Sequence, residues 1–431
     1  AYVSFHKVGR FGAGFFVRSE GVLVASRNLL TETDPSKITW ETLPEGDAGL
    51  RTPPGGGKVA EEQSYTVLSD GSFYCVYRTI DGYPAYAISR DRGRTWSVPA
   101  YQCFANGRRM KHPRAANFVW RCENGKYVYW FHNHGGRFIP ERNTSAEMAF
   151  YPYQGRNPVW LCGGVEIDVP GGRTILWSEP EIAIYDDDPM IRMSYPDLVE
   201  DKGRYFLTET EKATARIHEI DSELLEGMWN QFESSCVAGK GRVFHREGKS
   251  EPRLKMPRLP VLAVRNMDSH RMDLKKTRAG FTVDMDVTIT GDHFDGAILD
   301  ARQESGEGIA ILAGSDGSLE GVLNDGQTEN RWRTEPGLIT AGENVHVSFI
   351  VDGGPGIMMF VVNGVLCDGG EYREYGWSWL SPFLHNVNGD DEMRVVCEPA
   401  GSVTNLSIYD RALRVSEAVG NYRAGRGEAC S

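Results

Sequence analysis

The sequence predicts an all-β protein whose N-terminal part is a β-propeller. Helical periodicity is scarce. Short strands rich in Val, Tyr, Phe, Trp and Ile alternate with Gly, Asp and Asn. A strand–turn–strand unit also recurs: SYTVLSDGSFYCVYRT (64–79), AANFVWRCENGKYVYWFHNH (115–134) and SYPDLVEDKGRYFLTETEK (194–212). Each pairs an apolar strand with an acidic or Asn residue, a Gly and then an aromatic-rich strand. Small antiparallel sheets repeated radially are the signature of a propeller.

The copies follow in order. Residues 1–28 read as a first blade. The three repeats each run on into further strand-like sequence: YAISRD (86–91), NPVWLCGGVEID (157–168) and ARIHEID (215–221). Four blades are legible, and a fifth is readable near 236–262. The one short helix candidate is DSELLEGMW (221–229), with Asp221 as its cap. The segment SRDRGRTWS (89–97) fits an Asp-box at Ser89, Asp91, Gly93, Thr95 and Trp96. On that motif the chain resembles Asp-box propellers, sialidases among them. The motif's role there is structural.

From residue 263 the texture changes. GFTVDMDVTI, HVSFIVDGGPGIMMFVVNGVLCDGG and SVTNLSIYDRALRVSEAVGNYRAG follow one another. This stretch resembles laminin-G/concanavalin-like jelly-roll β-sandwiches. Ile408-Tyr409-Asp410-Arg411-Ala412-Leu413, then Ser416-Glu417, resembles their last strand and terminal turn. The expected division is therefore a propeller over 1–262 and a sandwich over 263–431. The basic stretch with Lys240, Arg242, Lys249, Arg253, Lys255 and Arg258 reads as a connector with a solvated face.

The chain has 431 residues and a formal net charge of −12. That argues against nucleic acid as a partner, which calls for a basic surface. It leaves room for an anionic sugar held in a local cationic pocket. No run of apolar residues is long enough to span a membrane as a helix. The eight cysteines show neither CxxC nor zinc spacing. Asn143-Thr-Ser145 and Asn405-Leu-Ser407 match glycosylation acceptors. Secretion is the preferred localisation, and a monomer is expected.

The chemistry concentrates in KHPRAANFVWRCENGKYVYWFHNHGG (111–136), two strands joined by an Asn-Gly turn. His112 opens the hairpin, and His132 and His134 close it. A hairpin returns its end beside its start, so these imidazoles converge and become candidates for proton transfer. The alternative is histidines that merely cap strands. Laid over the other repeats, the same rim takes Glu62 and Gln63, with Arg78 opposite. It also takes Arg114, Asn133, Arg192, Tyr195, Glu209, Glu211 and Lys212. Arg156 and Trp160 follow an insertion that returns to the same mouth.

Catalytic candidates are His132, His134, Tyr195 and Arg192. Substrate-binding candidates are His112, Arg114, Arg78, Asn133, Arg156, Trp160, Glu211 and Lys212. Guanidiniums hold carboxylates by paired hydrogen bonds, and His and Tyr move protons. Such a set suits a uronic acid. Blander readings stand beside it. Arg192 pairs with Asp186, Asp187 or Asp188, and Tyr195 is a packed aromatic. Glu209 and Glu211 form either a carboxylate pair or a frame for Lys212. The Asp186–Asp188 run suits either a structural Ca2+ or an exposed acidic loop. No cofactor is required, and no metal is assigned to the site.

The His pair on one hairpin resembles that of propeller-fold polysaccharide lyases acting on uronate-containing chains, such as ulvan lyases. His112 and His132 match it and His134 is additional. A Tyr and an Arg complete the set in those enzymes. Tyr195 and Arg192 are the nearest counterparts, at a different spacing. Rhamnose–glucuronate lyases of gum arabic side chains combine such a propeller with a β-sandwich, as this chain does. The resemblance implies seven blades, an anionic polysaccharide or oligosaccharide substrate, and β-elimination at glucuronate. A sialidase-like glycoside hydrolase and a non-catalytic glycan-binding protein are the alternatives. A hydrolase needs two placed carboxylates, or the Tyr nucleophile of sialidases. Arg137-Phe138-Ile139-Pro140 only partly resembles the sialidase Arg-Ile-Pro motif.

Overall fold

The computed structural model describes residues 1–8, 18–44, 46, 48–142, 155–266, 274–291 and 293–427. The glycosylation acceptor at Asn143 falls outside them. The chain divides into two compact units, Ala1–Trp229 and Asn230–Ser431.

The first unit is a run of four small antiparallel sheets in chain order. The first holds β1 (Tyr2–Val8), β2 (Ser19–Ala25) and β3 (Glu41–Leu43). The second holds β4 (Glu61–Val67), β5 (Phe73–Arg78), β6 (Ala85–Ser89) and β7 (Ala100–Tyr101). The third holds β8 (Phe118–Arg121), β9 (Tyr127–Phe131), β10 (Val159–Val169), β11 (Gly172–Trp177) and β12 (Glu181–Ile184). The fourth holds β13 (Leu198–Asp201), β14 (Arg204–Glu211) and β15 (Thr214–Ile220). β1 packs beside β4, and β4 beside β8, so the opening strands of the first three sheets are neighbours as in propeller blades. The four legible blades are these four sheets.

Strand character follows from burial. β9, YVYWF, is buried at every residue because β8 and β10 flank it and other layers cover both faces. In the β8–β9 hairpin Phe118 faces Trp130 and Arg121 faces Tyr127. Gly125 takes the left-handed conformation that its tight turn needs, φ 80°. The turn after β6 is closed by its own side chains. Gly93 N donates to Ser89 Oγ at 2.7 Å, and Thr95 N and Oγ1 donate to the Asp91 carboxylate at 2.8 and 2.6 Å. Trp96 packs on Tyr65. Helix α1 (Phe138–Arg142) follows the third sheet's hairpin, and α2 (Ser222–Asn230) closes the unit, burying Leu225, Met228 and Trp229.

The second unit is a two-sheet sandwich. Strand Phe281–Ile289 shows why: Phe281, Val283, Met285, Val287 and Ile289 alternate onto one face and are all buried. They meet Ile298, Ile309, Val347, Phe349 and Phe360 in one continuous core. Each such side chain stabilises the fold by about 1.5–3 kcal/mol relative to exposure. The closing motif behaves as read. Ile408 and Tyr409 end the strand Gly401–Tyr409, and Arg411 pairs with Glu417 through two 2.7 Å bonds. Glu417 also accepts from Arg414 N at 2.9 Å at the start of α3 (Val415–Gly425).

One expectation fails here. Residues 236–262 form neither a connector nor a fifth blade. β16 (Arg242–Lys249) pairs with Gly401–Tyr409, and β17 (Arg253–Lys255) pairs with Glu392–Val395. Both are edge strands of the sandwich, and their charged residues face solvent as edge strands commonly do. The compact units accordingly part at Trp229, ahead of the boundary expected at residue 262. Among the described residues four blade-like sheets are present, not seven.

Candidate active site

The structure brings Glu62, Arg78, Arg114, Arg156 and Tyr195 together, with Glu61 between two of the guanidiniums. A strict hairpin register between β4 and β5 places Glu62 opposite Arg78. The structure has a bulge between Glu61 and Ser64, so Glu61 takes that place. Glu61 is fully buried and receives Arg78 Nε at 3.0 Å and Arg114 Nη2 at 2.9 and 3.0 Å. Arg78 Nη2 lies 2.8 Å from the same carboxylate. Glu62 is pushed into a left-handed conformation, φ 56°, and its carboxylate meets Arg78 Nη1 at 2.8 Å.

From the fourth sheet's approach, Tyr195 reaches back. Its hydroxyl donates to Glu62 Oε1 at 2.8 Å, although 133 residues separate them in sequence. Tyr195 is also left-handed, φ 48°, and 52% of it is exposed. Burial first, then the Glu62 charge, raises its phenol above the ordinary range, while Arg78 and Arg156 pull the other way. Arg156 is buried. Its guanidinium donates to Ser194 Oγ and, at 3.4 Å, to the Arg114 carbonyl. Burial, then repulsion from Arg78, lowers Arg156 to about 10. An arriving carboxylate would relieve that repulsion.

The histidines sit beneath. His112 and His132 are stacked, with ring centroids 5.7 Å apart and planes 5° from parallel. His132 N donates to His112 Nδ1 at 3.2 Å, which fixes His112 Nε2 as the protonated nitrogen, donating to Ala115 O at 2.7 Å. Burial pushes His112 down to about 3 and holds His132 well below the usual imidazole range. Both are therefore neutral at neutral pH. His132 is fully buried. His134 is buried too, with Nε2 2.6 Å from the Gly155 carbonyl.

The other expected residues divide. Asn133 is buried at the rim with φ 46°, a strain typical of functional loops. Arg192 pairs with Glu211 at 3.4 Å rather than with the acidic run. Glu209 lies buried against Arg216 at 3.3 Å and His218 at 3.5 Å. Lys212 occupies the β14–β15 hairpin turn, since Glu211 pairs with Thr214. Trp160 is fully buried in β10 between Phe131 and Ile182, so it stands in the sheet, not at the mouth. The Asp186 carboxylate pairs with Arg216 at 3.3 Å and accepts from Asp188 N at 2.9 Å. Among the described residues no group of three or more His, Cys, Asp or Glu is placed to hold a metal.

Sequence reasoning missed Glu61 and Ser194. A bulge leaves no mark in an alternation pattern, yet the Glu61-Glu62 doublet facing a lone strand-end Arg78 was a usable signal. A separate cleft of about 690 Å3 in the second unit, lined by Phe244, Met256, Arg258, Asn388 and Asp391 among others, contains none of these residues.

Comparison with known proteins places one part of the chain. Residues 267–418 match the concanavalin A-like lectin/glucanases superfamily of laminin-G type. No curated protein matches the chain. Among solved structures it is similar to the CBM40 of the Ruminococcus gnavus IT-sialidase bound to α2,3-sialyllactose. That match has 13% identity and a TM-score of 0.29, and it covers 42% of this chain and 97% of that one. It is also similar to the Trypanosoma rangeli sialidase in complex with 2,3-difluorosialic acid. Here identity is 12% and the TM-score 0.27, covering 100% of this chain and 83% of that one. Likenesses this slight carry no argument about the site, which rests on its own geometry.

Proposed function

We propose that the first unit is a carbohydrate-active enzyme that cleaves an acidic polysaccharide at a glucuronate residue by β-elimination, with Tyr195 as the proton-moving group. The observation that carries this reading is the Tyr195 hydroxyl bonded to Glu62 at 2.8 Å in the company of Arg78 and Arg156. The substrate carboxylate lies against the Arg156 guanidinium, which stabilises the enolate-like anion formed at C5. Glu62 accepts the phenolic proton, and the phenolate removes the C5 proton. The C4–O bond breaks as the C4–C5 double bond forms. Tyr195 then protonates the departing oxygen and recovers its own proton from Glu62. The neutral His112–His132 stack positions the loop instead of exchanging protons. Rhamnose-α-1,4-glucuronate of gum arabic-type side chains is the linkage the hairpin resemblance suggests.

A second reading, hydrolysis of sialidase-like type, has one observation in its favour: the same Tyr–Glu pair would activate Tyr195 as a nucleophile. Elimination is preferred because one phenol on one face of the sugar serves as both base and acid. Hydrolysis calls for a further proton donor, and the charges weighing most on Tyr195 are Glu62, Arg78 and Arg156. The turn at Ser89–Trp96 supports an Asp-box reading of the second blade. The disulfide-bonded state of Cys236 supports an oxidising, extracellular setting.

The experiment is digestion of a glucuronate-rich polysaccharide in water enriched in heavy oxygen. Elimination yields products without label, each unsaturated at its new non-reducing end. Label entering the new ends would overturn elimination in favour of hydrolysis.

A further inference from the structure

The cleft of about 690 Å3 in the second unit takes no part in the chemistry above. It opens beside the edge strands β16 and β17, which belong to different sheets of the sandwich. Val243 and Phe244 of β16 line one side, and residues 255–259, from the end of β17 onward, line another. The turn at 388–391 completes the wall. Leu259, Ile309 and Val387 are buried in the sandwich core, and Phe244 and Met256 pack half-buried against it, so the floor is apolar. Pockets for small ligands commonly enclose roughly 300–1,000 Å3 over such a floor.

The walls are fixed by paired groups. Asn388 Oδ1 accepts from Leu259 N at 2.7 Å, and its Nδ2 donates to Leu259 O at 2.9 Å. Met256 N donates to Asp391 O at 2.8 Å, and Asp390 N to Ala301 O at 2.9 Å. A Cβ on Gly389 would lie 2.3 Å from the Ala301 carbonyl oxygen, so the turn needs glycine there. A cleft held in this way loses little freedom on binding.

Its rim carries both signs of charge. Lys255, Arg258, Asp390 and Asp391 are all exposed. Asp390 accepts from Glu392 N at 3.2 Å. Among the described residues the side chains of Lys255, Arg258 and Asp391 form no hydrogen bond or ion pair. Cations and a carboxylate therefore line one cleft without pairing. A ligand that satisfies both brings an acceptor for the guanidinium and donors for the carboxylate. An inorganic anion meets the first need and is repelled by the aspartates. A uronate sugar meets both, with a carboxylate and vicinal hydroxyls on a ring whose C–H face suits an apolar floor.

We propose that this cleft is a second, non-catalytic site for the acidic polysaccharide, seating one glucuronate residue with its carboxylate on Arg258 and Lys255 and its hydroxyls on Asp391. This rests on the acidic-polysaccharide reading of the first unit and adds that the sandwich holds the same polymer.

The test is footprinting of the full chain with phenylglyoxal, which modifies exposed guanidiniums, read peptide by peptide in a mass spectrometer. Methyl glucuronide slows modification of Arg258 severalfold and leaves that of Arg204, in the first unit, unchanged. Methyl glucoside, which lacks the carboxylate, gives no protection. In Asp391→Asn the concentration for half protection rises about tenfold, the loss expected of one charge-assisted hydrogen bond. Asp391 is exposed, so the thermal midpoint of that variant stays at the wild-type value. Equal modification of Arg258 with and without methyl glucuronide overturns the site. So does equal protection by methyl glucoside, stronger protection by the zwitterion glycylglycine, or an unchanged half-protection concentration in Asp391→Asn. None of these readings uses turnover. Protection of Arg258 with no unsaturated product from wild type leaves the site and removes elimination. Product without protection removes the site alone.

Discussion

Glu61→Gln tests the frame on which the rim is built. The wild-type carboxylate is fully buried, and the Arg78 and Arg114 side chains beside it are 4% and 5% exposed. Four nitrogen–oxygen contacts of 2.8–3.0 Å hold the three groups together. The amide removes the negative charge and turns N–H groups towards guanidinium donors. Breaking a buried ion pair on one side costs about 3–5 kcal/mol. Arg78 keeps Glu62 at 2.8 Å, which places the loss at the lower end, about 3 kcal/mol. For a unit of this size that is a fall in Tm of about 6–12 °C. Differential scanning calorimetry follows the transition of the Ala1–Trp229 unit. Adding Arg114→Met removes the stranded cation, so the double variant is less destabilised than the sum of the single ones by about 1–3 kcal/mol. A Tm within about 2 °C of wild type, or strict additivity, would refute the three-group frame.

Two further outcomes follow from the same contacts. Gly82 has φ 81°, and a Cβ there would sit 1.8 Å from the Gly136 carbonyl oxygen. Gly82→Ala therefore forces apart the loops carrying His112 and His134, at a cost of at least the 1–3 kcal/mol of backbone strain; an unchanged urea midpoint would contradict this. His112 and His132 bind protons in the unfolded chain near pH 6.5 but, with His112 lowered to about 3, resist them when folded. Their contribution is full above about pH 6.5 and is lost as pH falls towards about 3, because the unfolded state takes up the protons first. His112→Gln flattens the fall in Tm between neutral pH and pH 4, and a slope identical to wild type would exclude the buried stack as its source.

Much of the fold was legible because propeller strands repeat and sandwich strands alternate. Phe281–Ile289 places every second apolar residue inward, and YVYWF announces a strand covered on both faces. The closing motif Ile408–Leu413 with Ser416-Glu417 was legible locally, and the structure adds the Arg411–Glu417 pair within it. What escaped has identifiable causes. β16 and β17 are edge strands whose charged residues face water, so their composition resembles that of a solvated connector. The bulge in β4 shifts the pairing by one residue and exchanges Glu61 with Glu62, a displacement no alternation pattern records. The histidines were correctly brought together, but a sequence does not say how deep a hairpin end lies. Burial lowers the pKa of both His112 and His132, a depth that the hairpin pattern does not record. The repeats put Tyr195 on the same rim as Glu62, but the hydrogen bond between them, across 133 residues of sequence, is legible only in the fold.

The central claim is that Tyr195 moves the proton in an elimination on an acidic sugar. Its most direct measurement is the ultraviolet absorbance of unsaturated uronate during digestion of a glucuronate-rich polysaccharide by wild type and Tyr195→Phe, with reducing ends counted in parallel. The account predicts that absorbance and reducing ends rise together with wild type. Neither rises with Tyr195→Phe, which keeps the wild-type Tm because the lost hydroxyl lies at a half-exposed position. Reducing ends without absorbance, or undiminished absorbance from Tyr195→Phe, would contradict it.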